Sequence, residues 1–302
     1  MLERISTCSL VCRAWRTRAQ AHLFKNIITN HEGLHSLDKV LRTNPAISSS
    51  IVYLMVVKKS KTPSISFFAI RHQLSKLTFL QINGFDFTRE HAWLCRSPLF
   101  RSVRALRLYT LQICQLSQLI RFINCFHSLA SLEIDFDFYQ LEHKGQILPK
   151  PSGTETRSLK WLKIELIPGV SRLIDWFLTE ESCLSQLNGL LLYIRMIKDE
   201  ATFGSCFEGL DGLLESCRNS IENFTLRLES VPMVESVSDI GQHISSSANL
   251  RGLLICVPSS TRLIPKSEAP HICFLRERLC TSVCNPSTRG NHFRVRPCSS
   301  YF

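Results

Sequence analysis

No run of about 18 apolar residues occurs in the 302-residue chain, so no segment has the length of a membrane-spanning helix. Glu3 and Arg4 stand at the N-terminus with no apolar signal core behind them, and the chain reads as soluble and intracellular, cytoplasmic or nuclear. Catalytic signatures are missing too. There is no G-x-S-x-G elbow, no G-x-x-x-x-G-K-[ST], no G-x-G-x-x-G and no H-E-x-x-H, so neither an enzyme nor a cofactor is expected. His72, His91 and His127 are scattered beside apolar helix positions, where histidines are commonly structural.

Paired metal-ligand spacing is also lacking. His271, Cys273, Cys280, Cys284, His292 and Cys298 could be counted as zinc ligands, but only Cys280 and Cys284 stand a short step apart. The stretch around them has no apolar period, and residues 271–302 are expected to be a disordered tail without metal. The thirteen cysteines are odd in number and dispersed. Cys114, Cys125, Cys206 and Cys217 fall on apolar faces, as small buried hydrophobes do.

The net charge of +11 invites a nucleic-acid reading, which its distribution weakens. Residues 1–75 hold 11 Lys/Arg against 3 Asp/Glu, and residues 271–302 hold 5 against 1, whereas residues 76–270 hold 20 against 21. The central body therefore has no basic excess with which to track a phosphate backbone.

What the chain does contain is a recurring strand. Leu77-Thr78-Phe79-Leu80-Gln81-Ile82 is aliphatic at positions one, four and six, the alternation of a strand with one buried face. Copies begin at 51, 77, 103, 129, 159, 187, 221 and 250, in steps of 26, 26, 26, 30, 28, 34 and 29. At 44% hydrophobic residues, one copy is weak evidence, since about 9% of windows match by chance, on the order of 25 in all. Three equal successive steps are much harder to obtain by accident. Helical spacing follows several strands, at Leu116/Leu119/Ile120/Ile123, Leu173/Ile174/Phe177/Leu178 and Leu210/Leu213/Leu214/Cys217. A further helix is predicted within 29–50 on Leu34, Leu37, Val40 and Leu41, ended by Asn44-Pro45. The expected fold class is α/β: a leucine-rich-repeat-like solenoid, parallel strands on a concave face and helices or turns on the convex one, spanning 29–270. A doubly wound sheet is the competing architecture. The ninth positions, Phe85, Leu111, Asp137, Ile167 and Arg195, do not form an asparagine ladder, so the repeats should be irregular. Lys58 to Pro63 reads as a basic turn, and Leu141 to Thr156 as a protruding, mobile loop.

Ahead of the repeats, Cys8-Ser9-Leu10-Val11-Cys12-Arg13-Ala14-Trp15, then Arg18-Ala19 and His22-Leu23-Phe24, resembles the second half of an F-box as found in fungal F-box proteins with irregular leucine-rich repeats. The resemblance covers about the first 28 residues, a partial F-box-like helical segment. It implies that Leu10, Val11 and Trp15 belong to the module's packing core and that Leu23 and Phe24 join it to the repeats. It also implies a substrate receptor of an SCF-type cullin–RING ubiquitin ligase, binding a Skp-type adaptor. The family's first helix, entered through a Leu-Pro pair, has no counterpart in this sequence, so adaptor binding is expected to be weakened. The alternative is an adaptor-independent scaffold, or a truncated paralogue without a ligase role.

The partner, a protein, is expected on the strand face pointing away from the core. Positions three, five and seven there include Tyr53, Phe79, Arg107, Tyr109, Glu133, Asp135, Trp161, Lys163 and Tyr193. Aromatic and Arg anchors in a mixed polar surround are what protein hot spots are built from, though strand propensity alone also favours aromatics.

Overall fold

The computed structural model describes residues 13–57, 70, 73–84, 101–111, 116–136, 158–167, 170–179, 184–194, 209–228, 249–258 and 292–298. The chain divides into two compact units, Met1–Glu155 and Thr156–Phe302. The boundary falls at the end of the long polar Leu141–Thr156 interruption, whose own conformation, like that of the Lys58–Pro63 turn, lies outside the described residues.

The first unit runs α1 (Arg13–Leu23), β1 (Asn26–Asn30), α2 (His31–Thr43), α3 (Pro45–Ser48), β2 (Tyr53–Val57), β3 (Phe79–Asn83), β4 (Ala105–Leu111), α4 (Leu116–Asn124) and β5 (Ser131–Phe136). Its strands lie parallel and in chain order. The second unit runs β6 (Trp161–Leu166), α5 (Ser171–Thr179), β7 (Gly189–Ile194), α6 (Leu210–Cys217), β8 (Asn223–Leu228), β9 (Gly252–Pro258) and β10 (His292–Cys298), again parallel and in chain order.

All eight sequence copies are strands, and their registers align the repeat positions. Leu54, Leu80, Leu106 and Leu132 stand side by side at position four, and Val56, Ile82, Leu108 and Ile134 at position six. None is more than 1% exposed. Position one is buried as well, from Ile51 and Leu77 to Leu187 and Ile221. Burying an aliphatic chain of this size is worth roughly 2 kcal/mol, so a one-residue slip, which would turn every one of them outward, is strongly disfavoured.

The backbone supplies a second regularity at the strand entrances. The carbonyl of Lys25 accepts from the amides of Val52 and Tyr53, that of Val52 from Thr78 and Phe79, and that of Thr78 from Arg104 and Ala105. Arg104 does the same for Ala130 and Ser131. In the second unit the step repeats from Lys160 to Asn188 and Gly189, from Asn188 to Glu222 and Asn223, and from Glu222 to Arg251 and Gly252. Each shared carbonyl satisfies two amides that the strand ladder leaves over.

The helices bury most of the residues their spacing pointed to. Leu116, Leu119, Ile120 and Ile123 on α4, Leu173, Ile174 and Phe177 on α5, and Leu210, Leu213, Leu214 and Cys217 on α6 are all buried, whereas Leu178 on α5 is half-buried and Trp176 is buried in addition. On α2, Leu34, Leu37 and Leu41 are buried, while Val40 is 37% exposed. Asn30 caps α2 by accepting from the Gly33 amide at 2.9 Å, and Pro45 opens α3 at the position where proline lacks nothing the helix needs.

Two strands were not foreseen. β1 fits the copy as Phe24, Ile27 and Thr29 at positions one, four and six, and the threonine at position six hid it. β10 corrects the expectation of a wholly disordered tail over His292–Cys298, which pair along β9 from His292–Gly252 to Cys298–Pro258. A step of 40 from the β9 copy, with Gly290 at position one, put it out of reach of the pattern.

Candidate functional site

The outer strand face of the first unit gathers residues from four strands into one laterally bonded cluster. Its rows follow from the register: Tyr53 stands beside Phe79, Met55 beside Gln81, Arg107 and Glu133, and Asn83 beside Tyr109. The Tyr53 and Phe79 rings lie 4.8 Å apart between centroids, and the Tyr53 hydroxyl donates to Gln81 Oε1 at 3.0 Å. Gln81 Nε2 donates onward to Asn83 Oδ1 at 3.1 Å. The Arg107 guanidinium lies 4.8 Å from the centre of the Phe79 ring and donates from Nε to Glu133 Oε1 at 2.8 Å. The other carboxylate oxygen, Oε2, accepts from the Tyr109 hydroxyl at 2.6 Å.

These outward positions differ in exposure. Gln81 is 8% exposed and Glu133 7%, whereas Tyr53, Phe79, Arg107, Tyr109 and Asp135 are half-buried. Parallel strands stand about 4.8 Å apart, so long side chains lean across shorter neighbours and close over them. Arg107 and Tyr109 do this to Glu133. A buried carboxylate needs such partners, and this one has a cation on one oxygen and a phenol on the other. Burial, then the Glu133 carboxylate, hold the Tyr109 hydroxyl well above the ordinary tyrosine range.

β4 is irregular beside this cluster. Its register against β5 shifts between Leu108 and Leu111, and Thr110 takes a φ of 52°. A β-branched residue is strained there. The insertion lets Leu111 return to the core opposite Phe136, both 1% exposed, while Tyr109 stays on the outer face.

In the second unit Trp161, Lys163 and Tyr193 are half-buried on the outer rows of β6 and β7. The Trp161 ring packs closely against Gly189: a Cβ added there would fall 2.1 Å from Trp161 Cε3. Only glycine leaves room for the ring. Tyr193 meets Arg227, whose guanidinium stands 5.3 Å from the ring centre. Glu165, in register with Tyr193, is 1% exposed.

Sequence reasoning missed Arg227 and Ile28. Arg227 is position seven of its copy and could have been found by extending the same alternation. Ile28 lay in the unrecognised first copy; it is 70% exposed, in register with Met55. Of the residues assigned to the N-terminal segment, Leu10 and Val11 lie outside the described residues, Trp15 falls within α1, and Leu23 and Phe24 are half-buried where α1 leads into β1.

Among the described residues no group of three or more His, Cys, Asp or Glu could hold a metal, and no helix is long and apolar enough to cross a membrane. Of the tail ligand candidates, only His292 and Cys298 are described, at the two ends of β10. Cys125 and Cys217 are buried; Cys217 donates to the Leu213 carbonyl, and burial pushes its thiol up to about 12. A thiol so placed is inert. No family model matches the chain, and no curated protein matches it.

Proposed function

We propose that this chain is a leucine-rich-repeat-like solenoid that recognises a protein on its outer strand face, as the substrate receptor of an SCF-type ubiquitin ligase does. The repeat reading is supported by the chain-order succession of parallel strands within each unit and by the carbonyl steps at their entrances. The receptor reading rests on the Cys8–Phe24 resemblance. The observation that carries the recognition surface is the Tyr53–Phe79–Arg107–Glu133–Tyr109 cluster. Aromatic and arginine side chains are locked to one another before any partner arrives, which lowers the ordering cost of binding.

The test places a photo-crosslinking residue at Met55 on the outer face and, separately, at exposed Arg121 on α4, in cells that also express a tagged Skp-type adaptor. The expected result is a discrete protein adduct from position 55 and none from 121, with the adaptor recovered only weakly. Adducts only from the helix side would overturn the surface. An adduct from 55 without the adaptor would leave the surface standing and favour the adaptor-independent scaffold.

A further inference from the structure

The end of the first unit at which its strands begin carries charge of one sign. Lys25 and Arg104 occupy position two of their copies, on the line of shared carbonyls that runs from Lys25 through Val52 and Thr78 to Arg104. Lys76 and Arg101 stand in the turns just ahead, Ser75-Lys76 before β3 and Arg101-Ser102 before β4. All four side chains are exposed, and among the described residues none of the four makes a side-chain hydrogen bond or ion pair. The described carboxylates of this unit lie elsewhere, Glu32 and Asp38 on α2 and Glu133 and Asp135 on β5, and Asp38 is held by Arg42 at 2.9 Å. The second unit places Lys160, Asn188, Glu222 and Arg251 at the same carbonyl steps, where Arg251 stands 3.8 Å from Glu222. The steps are made by backbone alone, so the fold does not call for a row of cations, and like charges gathered there repel one another.

We propose that this entrance rim binds an acidic segment of a protein partner, with Asp and Glu carboxylates on Lys25, Lys76, Arg101 and Arg104. The rim lies at the strand ends and the outer-face cluster on their sides, so the inference goes beyond the reading of that cluster and does not rest on it. From β1 to β4 are three inter-strand steps of about 4.8 Å, roughly 14 Å, which an extended chain covers in about four residues. A short run of carboxylates therefore matches the rim in length as well as in sign. Nucleic acid fits it less well. Neither turn, nor any position-two residue from β1 to β5, offers a Phe, Tyr or Trp on which a base could stack, and a rim of roughly 14 Å meets only a few phosphates.

The test titrates a labelled peptide carrying a run of about six Glu, one residue for each 3.3 Å of the rim and a little beyond, with the purified full chain by fluorescence anisotropy. A Gln peptide of the same length and a short oligouridine are run beside it. Expected is binding of the Glu peptide and not of the Gln peptide, weakening with added salt. Arg101→Glu with Arg104→Glu should raise Kd about tenfold, and Lys25→Glu with Lys76→Glu should do the same, so that a folding defect in one pair does not decide the outcome. Arg121→Glu with Lys160→Glu removes as much charge at exposed sites off this rim and should change Kd by less than about twofold. The rim side chains are exposed and unbonded, so thermal midpoints should stay where they are in the wild type. Equal losses in the rim and control pairs would reduce the binding to net charge and overturn the proposal, as would equal binding of the Gln peptide. Oligouridine that displaces the Glu peptide and is itself lost in the rim pairs would assign the rim to nucleic acid and overturn it too.

Discussion

The Tyr109 hydroxyl donates to Glu133 at 2.6 Å, and this bond ties the outer end of β4 to a carboxylate that is otherwise nearly shut off from water. Tyr109→Phe should cost about 1.5–3 kcal/mol at neutral pH, because the acceptor is charged and buried. Tyr109 also carries a pH signature. Its proton is held more tightly in the native state than at the ordinary value of 10.0, so the unfolded chain ionises first. The stabilisation is complete below pH 10 and is lost as pH rises beyond it. Denaturant titrations between pH 8 and 11.5 should show a steep alkaline decline in wild type and a shallower one in Tyr109→Phe.

Arg107 is the second partner of the same carboxylate. Removing it alone, in Arg107→Met, should destabilise the fold more than the double change Arg107→Met with Glu133→Gln, since the single variant leaves a buried charge with one donor fewer. A double-mutant cycle by urea unfolding measures this; additive costs would show the ion pair to be of no structural weight.

Gly189 and Trp161 are coupled through space that only a hydrogen atom can share. Gly189→Ala should lift the Trp161 ring, red-shifting its emission and costing about 1–3 kcal/mol as overpacked sites do. Unchanged fluorescence in a background with the other three tryptophans replaced by Phe would contradict this close packing.

Thr110 sits at a φ of 52°, where a β-branched side chain is strained and glycine or asparagine is not. Thr110→Gly should therefore be neutral or stabilising by up to about 1 kcal/mol, although most surface glycine substitutions in strands destabilise. Thermal unfolding decides it.

The buried strand face makes a positional prediction. Leu132→Ala should cost about 2–5 kcal/mol, whereas Met55→Ala on the opposite parity should cost far less. Equal losses would mean the two sheet faces are not distinguished by burial.

The eight copies and their three helices were legible because burial of one face imposes a period, and a period survives in a string of letters: Leu80, Leu106 and Leu132 could be aligned before any strand was seen. β1 and β10 were not, since Thr29 and Gly290 occupy aliphatic positions and strand pairing by backbone amides needs no particular side chain there. The outer residues were legible by parity alone. Tyr53, Phe79, Arg107, Tyr109 and Glu133 were named as facing away from the core, but parity says nothing about which of them touch.

Alternation along the chain therefore determined which side chains enter the core, and the equal steps determined that successive strands are neighbours. The tertiary structure alone decided that Glu133 is buried, that Arg107 lies over Phe79, and that Trp161 rests on Gly189. Those outcomes depend on lateral registers between residues some 26 positions apart and on how far long side chains lean over short ones. Both are set by distances between strands, and no pattern within one strand encodes them.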